Sequence, residues 1–293
     1  MNDVSLRFAE KIAAIFTKTI ELLFAKVHTM TTEIMQPFFM PVLTLYFIII
    51  GWQVIIGNLS SKKDSLIRLF ILFPLISSAI FNLETYNEFV STPIINLKDF
   101  ITSKISSLTG NENIFTWLDT IFIKLFTEVS ATLWNGNFLF NIANYVFGFL
   151  LVAVYFILYL FATIFTLESL VAVYLLLLIG PIFIIFFAFN ETKFITSAWF
   201  KSLMTYWLYA PFTALIILFA QGVVSVATKE SVGNVFGMLF TLFAGALCVY
   251  FIKKVPEYAN SITMGVSNSG VAFSWSNLRS VVPNRNKNNN KQK

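Results

Sequence analysis

Residues 138–166 read FLFNIANYVFGFLLVAVYFILYLFATIFT, a run with no charged side chain. A helix rises about 1.5 Å per residue and the hydrocarbon core of a bilayer is about 30 Å thick, so about 20 such residues cross it. Lipid offers the backbone no water to bond with, and a helix that closes its own hydrogen bonds is the expected form of this run. The alternating ten-residue strands of a membrane barrel are not the pattern here.

On the C-terminal side of this run, Glu168 interrupts the apolar sequence before a fourth run, Ser169–Phe189. A fifth follows from Leu203 to Ala227 with Pro211 inside it, and a sixth, Val235–Ile252, ends at Lys253 and Lys254. On the N-terminal side, Pro37 and Pro41 punctuate the start of a first run that continues to Gly57. The second run, Leu66–Phe81, carries Arg68 and Pro74 and falls short of the bilayer thickness, so it is expected to tilt, re-enter, or be extended by a snorkelling Arg68. With 57% hydrophobic and 12% charged residues, the chain lies far from a soluble domain, where about 25% of residues are charged. The mean hydropathy of +0.76 says the same.

The expected fold class is all-α: a polytopic helical membrane protein with five or six transmembrane helices. Residues 1–36 form an amphipathic N-terminal helix, because Leu6, Ala9, Ala13, Phe16, Ile20, Leu23, Val27, Met30 and Ile34 alternate spacings of three and four. Residues 37–81 form a first membrane hairpin. Residues 82–137 form an extramembrane amphipathic helical loop, with Ile94, Leu97, Ile101, Ile105 and Leu108 in one stripe and Ile114, Leu118, Ile121, Leu125 and Val129 in a second. Trp117 and Trp134 suit a membrane interface. Residues 138–254 hold the core transmembrane helices, and the polar, basic stretch 255–293 is expected to be largely disordered. The start, Met1-Asn2-Asp3-Val4, lacks the basic flank and early apolar core of a cleavable signal peptide, so insertion is expected to rely on internal spans.

Composition and motifs narrow the function classes. One cysteine, Cys248, and one histidine, His28, leave neither a disulfide framework nor a Cys/His metal constellation. No phosphate-cradling glycine loop and no His-Glu-x-x-His pattern is present, and Glu168 and Glu191 stand at run boundaries rather than paired inside spans. Neither an enzyme nor a cofactor is expected. The alternative function is a small-solute transporter or channel, whose polar path would rest on Asn141, Asn144, Glu168, Gln221 and a helix break at Gly180-Pro181. Seven of the twenty Lys and Arg lie from Lys253 onward, which by the positive-inside rule favours a cytoplasmic C terminus. Residues 82–137 carry six acids against three lysines.

The densest constellation follows the fourth run. Gly180 and Pro181 inside an apolar helix predict a kink or break, since proline removes a backbone donor and glycine admits a close neighbour. Phe189, Thr192, Lys193, Phe194, Trp199, Leu203 and Tyr206 follow. At these residues, and at the later Val255-Pro256, Ala259 and Gly265, the sequence resembles the TrbL-type polytopic inner-membrane subunits of type IV secretion and conjugal transfer. The resemblance implies a structural or channel component of a machine that moves DNA or protein across the bacterial inner membrane. Its implied partners are the lipid bilayer, other secretion-system subunits, further copies of itself, and, transiently, the translocated DNA or protein. It also implies a central region exported to the periplasm. Under this reading Gly180, Pro181, Thr192, Lys193, Trp199 and Tyr206 are assembly determinants, as are Gly233 and Gly237, four apart and suited to close helix packing.

Overall fold

A computed structural model describes residues 7–56, 77, 82–108, 110, 113–134, 142–187, 192–230 and 235–268. Every regular element among them is helical, as the apolar runs require. Helix α1 covers Phe8–Ile55, and α2, Leu83–Tyr86, passes through a π-helical turn at Asn87–Ser91 into α3, Thr92–Ser107. Helix α4 is Ile114–Trp134, α5 is Ile142–Leu178 and α6 is the short Gly180–Phe187. Helix α7 runs Lys193–Glu230, α8 Val235–Lys253 and α9 Val255–Asn268.

Three stretches among the described residues are long and apolar enough to cross a membrane: Val146–Leu178, Lys193–Val223 and Leu239–Met264. They differ from the expected runs in an instructive way. Helix α5 passes through Glu168 without a break, so the third run and most of the fourth are one helix. A single exposed carboxylate on an outer face is no obstacle to helix geometry, because glutamate is itself a good helix former. Helix α1 likewise continues through Pro37 and Pro41. Each proline removes one backbone donor, and four residues apart they free carbonyls on one side of an otherwise intact rod. The second run lies, apart from Ser77, outside the described residues, as do Gly233 and the tail beyond Asn268.

The bundle is built on α5, which packs against α4, α7 and α8, while α9 and α3 pack on α7. Its larger core cluster joins Trp117 and Leu118 of α4 with Tyr155, Leu158, Tyr159 and Ala162 of α5, Tyr209 and Ile217 of α7, and Ile252, Val255 and Ala259. Gly245 lets α8 approach α5 closely, since a Cβ there would stand 3.0 Å from the Val154 side chain. A smaller cluster of Val173, Leu177, Trp199 and Leu203 sits at the far end of α5, with Phe24 of α1 against it.

The amphipathic stripes are partly rearranged. On α1 the seam residues Ala9, Ala13 and Ile20 are buried, whereas Phe16, Leu23, Met30 and Ile34 are exposed. On α3 the buried positions are Lys98, Thr102 and Ser106, every fourth residue, and Leu97 and Leu108 face outward. Helix α3 packs on α7, whose Trp207 indole donates to the Ile94 carbonyl at 2.9 Å. Trp117, expected at an interface, is fully buried in the core.

Candidate functional site: a broken helix with capped carbonyls

The break expected at Gly180-Pro181 is present. Helix α5 ends at Leu178, Ile179 makes a turn, and α6 begins at Gly180 with both Gly180 and Pro181 buried. In an unbroken helix the Pro181 nitrogen would bond to the carbonyl of Leu177, but proline has no N–H to give. The Tyr86 hydroxyl donates to that carbonyl instead. One residue earlier, the Leu176 carbonyl accepts the Trp199 indole N–H at 2.9 Å. Burial pushes the Tyr86 phenol well above its ordinary pKa, so it keeps its proton and remains a donor.

Glycine is required at position 180 by what surrounds it. A Cβ there would collide with the Tyr86 hydroxyl and stand 3.0 Å from Cζ2 of Trp199. The Trp199 ring also stacks on Phe183 of α6, with centroids 6.0 Å apart and planes 8° from parallel.

The other end of α6 is finished in the same way. The last carbonyls of a helix have no partner within it. Thr192 donates to the Phe186 carbonyl at 3.0 Å, and Thr196 donates to the Phe183 carbonyl at 2.6 Å. Side chains from α2, from Thr192 and from the first turns of α7 therefore satisfy backbone acceptors at the end of α5 and within the eight-residue α6. The arrangement fixes the helix break and joins α2, α5, α6 and α7 there.

The structure thus brings together Gly180, Pro181, Thr192 and Trp199. Lys193, the first residue of α7, is exposed beside them. Tyr206 stands apart, half-buried, with its ring 5.3 Å from that of Tyr209. Gly237 lies in the first turn of α8, away from the break. Sequence reading missed Tyr86, which bonds across 91 positions, and Thr196, whose only signal was its place one turn after Thr192.

It also missed a second polar junction. Asp119 of α4, almost fully buried, accepts from the backbone N–H of Ala9 and Glu10 at 3.2 Å each and from the Tyr159 hydroxyl at 2.6 Å. The first N–H groups of α1 lack partners within the helix, and a carboxyl oxygen is the acceptor they favour. Asp119 therefore pins the start of α1 to α4 and α5. Among the described residues, no group of three or more His, Cys, Asp or Glu is arranged to hold a metal.

The family model for TrbL/VirB6 plasmid conjugal transfer proteins matches residues 43–255. A type IV secretion system protein VirB6 from Bartonella quintana (strain Toulouse) is 19% identical over 236 residues, covering 78% of this chain and 71% of that protein. A type IV secretion system protein VirB6 from Bartonella henselae is 23% identical over 163 residues, 55% of this chain, and the chain spans 50% of its length. The matched region contains the broken helix, its caps, two of the three membrane-length stretches whole and the larger part of the third, Leu239–Met264, and on that ground the chain belongs to the TrbL/VirB6 family of plasmid conjugal transfer proteins.

Proposed function

We propose that this chain is an inner-membrane component of a type IV secretion or conjugation machine that acts by assembly: it helps to build the path for DNA or protein and carries out no chemical turnover. The family match, together with three membrane-length helices, is the observation that supports this most. The C terminus is assigned to the cytoplasm from the charge of the tail. The apolar runs at 37–57 and 66–81, added to the three membrane-length helices, bring the count to five, the lower of the two numbers expected. The exposed half of the α1 seam, Phe16, Leu23, Met30 and Ile34, suits contact with another subunit, including a second copy of this chain.

Within such an assembly the broken helix acts as a rigid joint. Gly180, Pro181, Thr192 and Trp199 fix the angle between the two long arms α5 and α7. Lys193 flanks the joint, Tyr206 stands two turns along α7 from Trp199, and Gly233 and Gly237, four apart in sequence, suit subunit packing. Contact with translocated DNA or protein is transient. The test is purification of the tagged chain from native membranes in mild detergent. Other secretion-system subunits should be recovered with it, and the isolated chain in proteoliposomes should pass no ion or metabolite. Solute flux by the isolated chain would overturn the assembly reading in favour of a transporter.

A further inference from the structure

Helix α8 ends at Lys253 and α9 begins at Val255, and the turn between them is tied to the core. Ile252, Val255 and Ala259 are fully buried there, which leaves Phe251 and Tyr258 on the rim. Opposite them α7 presents Phe212, Leu215, Ile216 and Phe219, whose spacing places all four on one helix face. Together these six side chains line an open groove of about 390 Å³. That volume is in the range of a ligand site, about 300–1,000 Å³. Only Tyr258 among the six carries a polar side-chain atom. All six belong to two of the stretches long and apolar enough to cross a membrane, Lys193–Val223 and Leu239–Met264. Lipid is therefore the medium that reaches this groove.

Beside the groove stand one cation and one anion. Lys254 falls between Phe251 and Tyr258 at spacings of three and four, and its carbonyl accepts the Tyr258 N–H at 2.9 Å. Its ammonium lies 5.9 Å from the Tyr250 ring centre and donates to both carboxylate oxygens of Glu257, at 2.7 and 2.8 Å. An ammonium has three N–H donors, and Glu257 engages two of them. The Glu257 side chain is 66% exposed, so its carboxylate remains open to a second cation. A surface pair of this kind adds little to stability. What it supplies is a fixed pair of opposite charges next to an apolar slot.

We propose that the groove is a site for one aminophospholipid molecule: an acyl chain lies along Phe212, Leu215, Ile216 and Phe219, the phosphate takes the remaining Lys254 donor, and the headgroup ammonium pairs with Glu257. The two charges match a zwitterionic headgroup. An anionic headgroup without an amine satisfies Lys254 but sets its charge beside the Glu257 carboxylate with nothing to offset it, so it binds more weakly. The proposal rests on α7 and α8 lying in a membrane and is independent of any role in secretion.

The test titrates the full chain, purified in a non-ionic detergent, with dioleoyl phosphatidylethanolamine or dioleoyl phosphatidylglycerol and counts bound lipid by native mass spectrometry. One saturable phosphatidylethanolamine adduct should form, several-fold more tightly than the phosphatidylglycerol adduct. Glu257→Gln should erase or reverse that preference, and Lys254→Gln should weaken both lipids. Leu215→Trp, at an exposed position, fills the groove and should abolish the adduct while the unfolding midpoint stays unchanged. Equal affinity for the two lipids, or an adduct that survives Leu215→Trp, overturns the site. A dimer in detergent that Leu215→Trp splits into monomers overturns it as well, because a second copy then fills the groove.

Discussion

Gly180→Ala is the sharpest perturbation of the joint. The added methyl meets the Tyr86 hydroxyl at a distance no real contact tolerates, and it also lies 3.0 Å from the Trp199 ring and 3.2 Å from Cζ of Tyr86. Overpacking of this kind costs about 1–3 kcal/mol. Displacing the hydroxyl leaves the Leu177 carbonyl buried without its donor, which costs about 1–3 kcal/mol more. The expected loss is about 2–6 kcal/mol, read by equilibrium unfolding of the purified chain in mixed micelles. A double-mutant cycle isolates the cause. Tyr86→Phe removes the colliding oxygen and destabilises by itself, but in that background Gly180→Ala should cost at least about 1 kcal/mol less, because the hydroxyl can be lost only once. Part of the penalty persists, since the ring contacts remain. Additive costs in the cycle would refute the reasoning, as would a Gly180→Ala chain as stable as the parent.

Trp199→Phe keeps a ring against Phe183 but removes the indole N–H from the Leu176 carbonyl, and should destabilise by about 1–3 kcal/mol in the same unfolding measurement. Thr196→Val, nearly the same shape, should lose about 1 kcal/mol through the Phe183 carbonyl, whereas Thr192→Val should lose less because its bond is longer and less buried. Asp119→Ala releases two backbone donors and the Tyr159 hydroxyl, and limited proteolysis should then cut within the first turns of α1 while the α5–α7 core stays intact. Glu168→Gln should leave substrate transfer unchanged in cells, because the carboxylate faces outward; loss of transfer would point back to a polar path through the chain.

What could be read from the sequence follows from the range of the interactions. The apolar runs from Phe138 onward are local, and they gave both the helical class and the membrane setting. The Gly180-Pro181 break is local as well, since it needs only a missing N–H and a missing Cβ. The partners that complete it are not. Tyr86 and Asp119 act across 91 and 110 positions, and nothing near either residue in sequence marks it as a cap. The merging of two runs through Glu168 was hidden for a different reason: a charged residue reads as a boundary until its outward direction is known. On α3, periodicity alone could not tell which face packs, because the buried face is the polar one with Lys98, Thr102 and Ser106.

The central claim is that this chain is a necessary working part of a transfer machine. The most direct measurement is the frequency of substrate transfer to recipient cells by a strain lacking the chain, with and without complementation. Transfer should fall to background without the chain and return when the wild-type chain is supplied; transfer at the parental frequency in its absence would contradict the account.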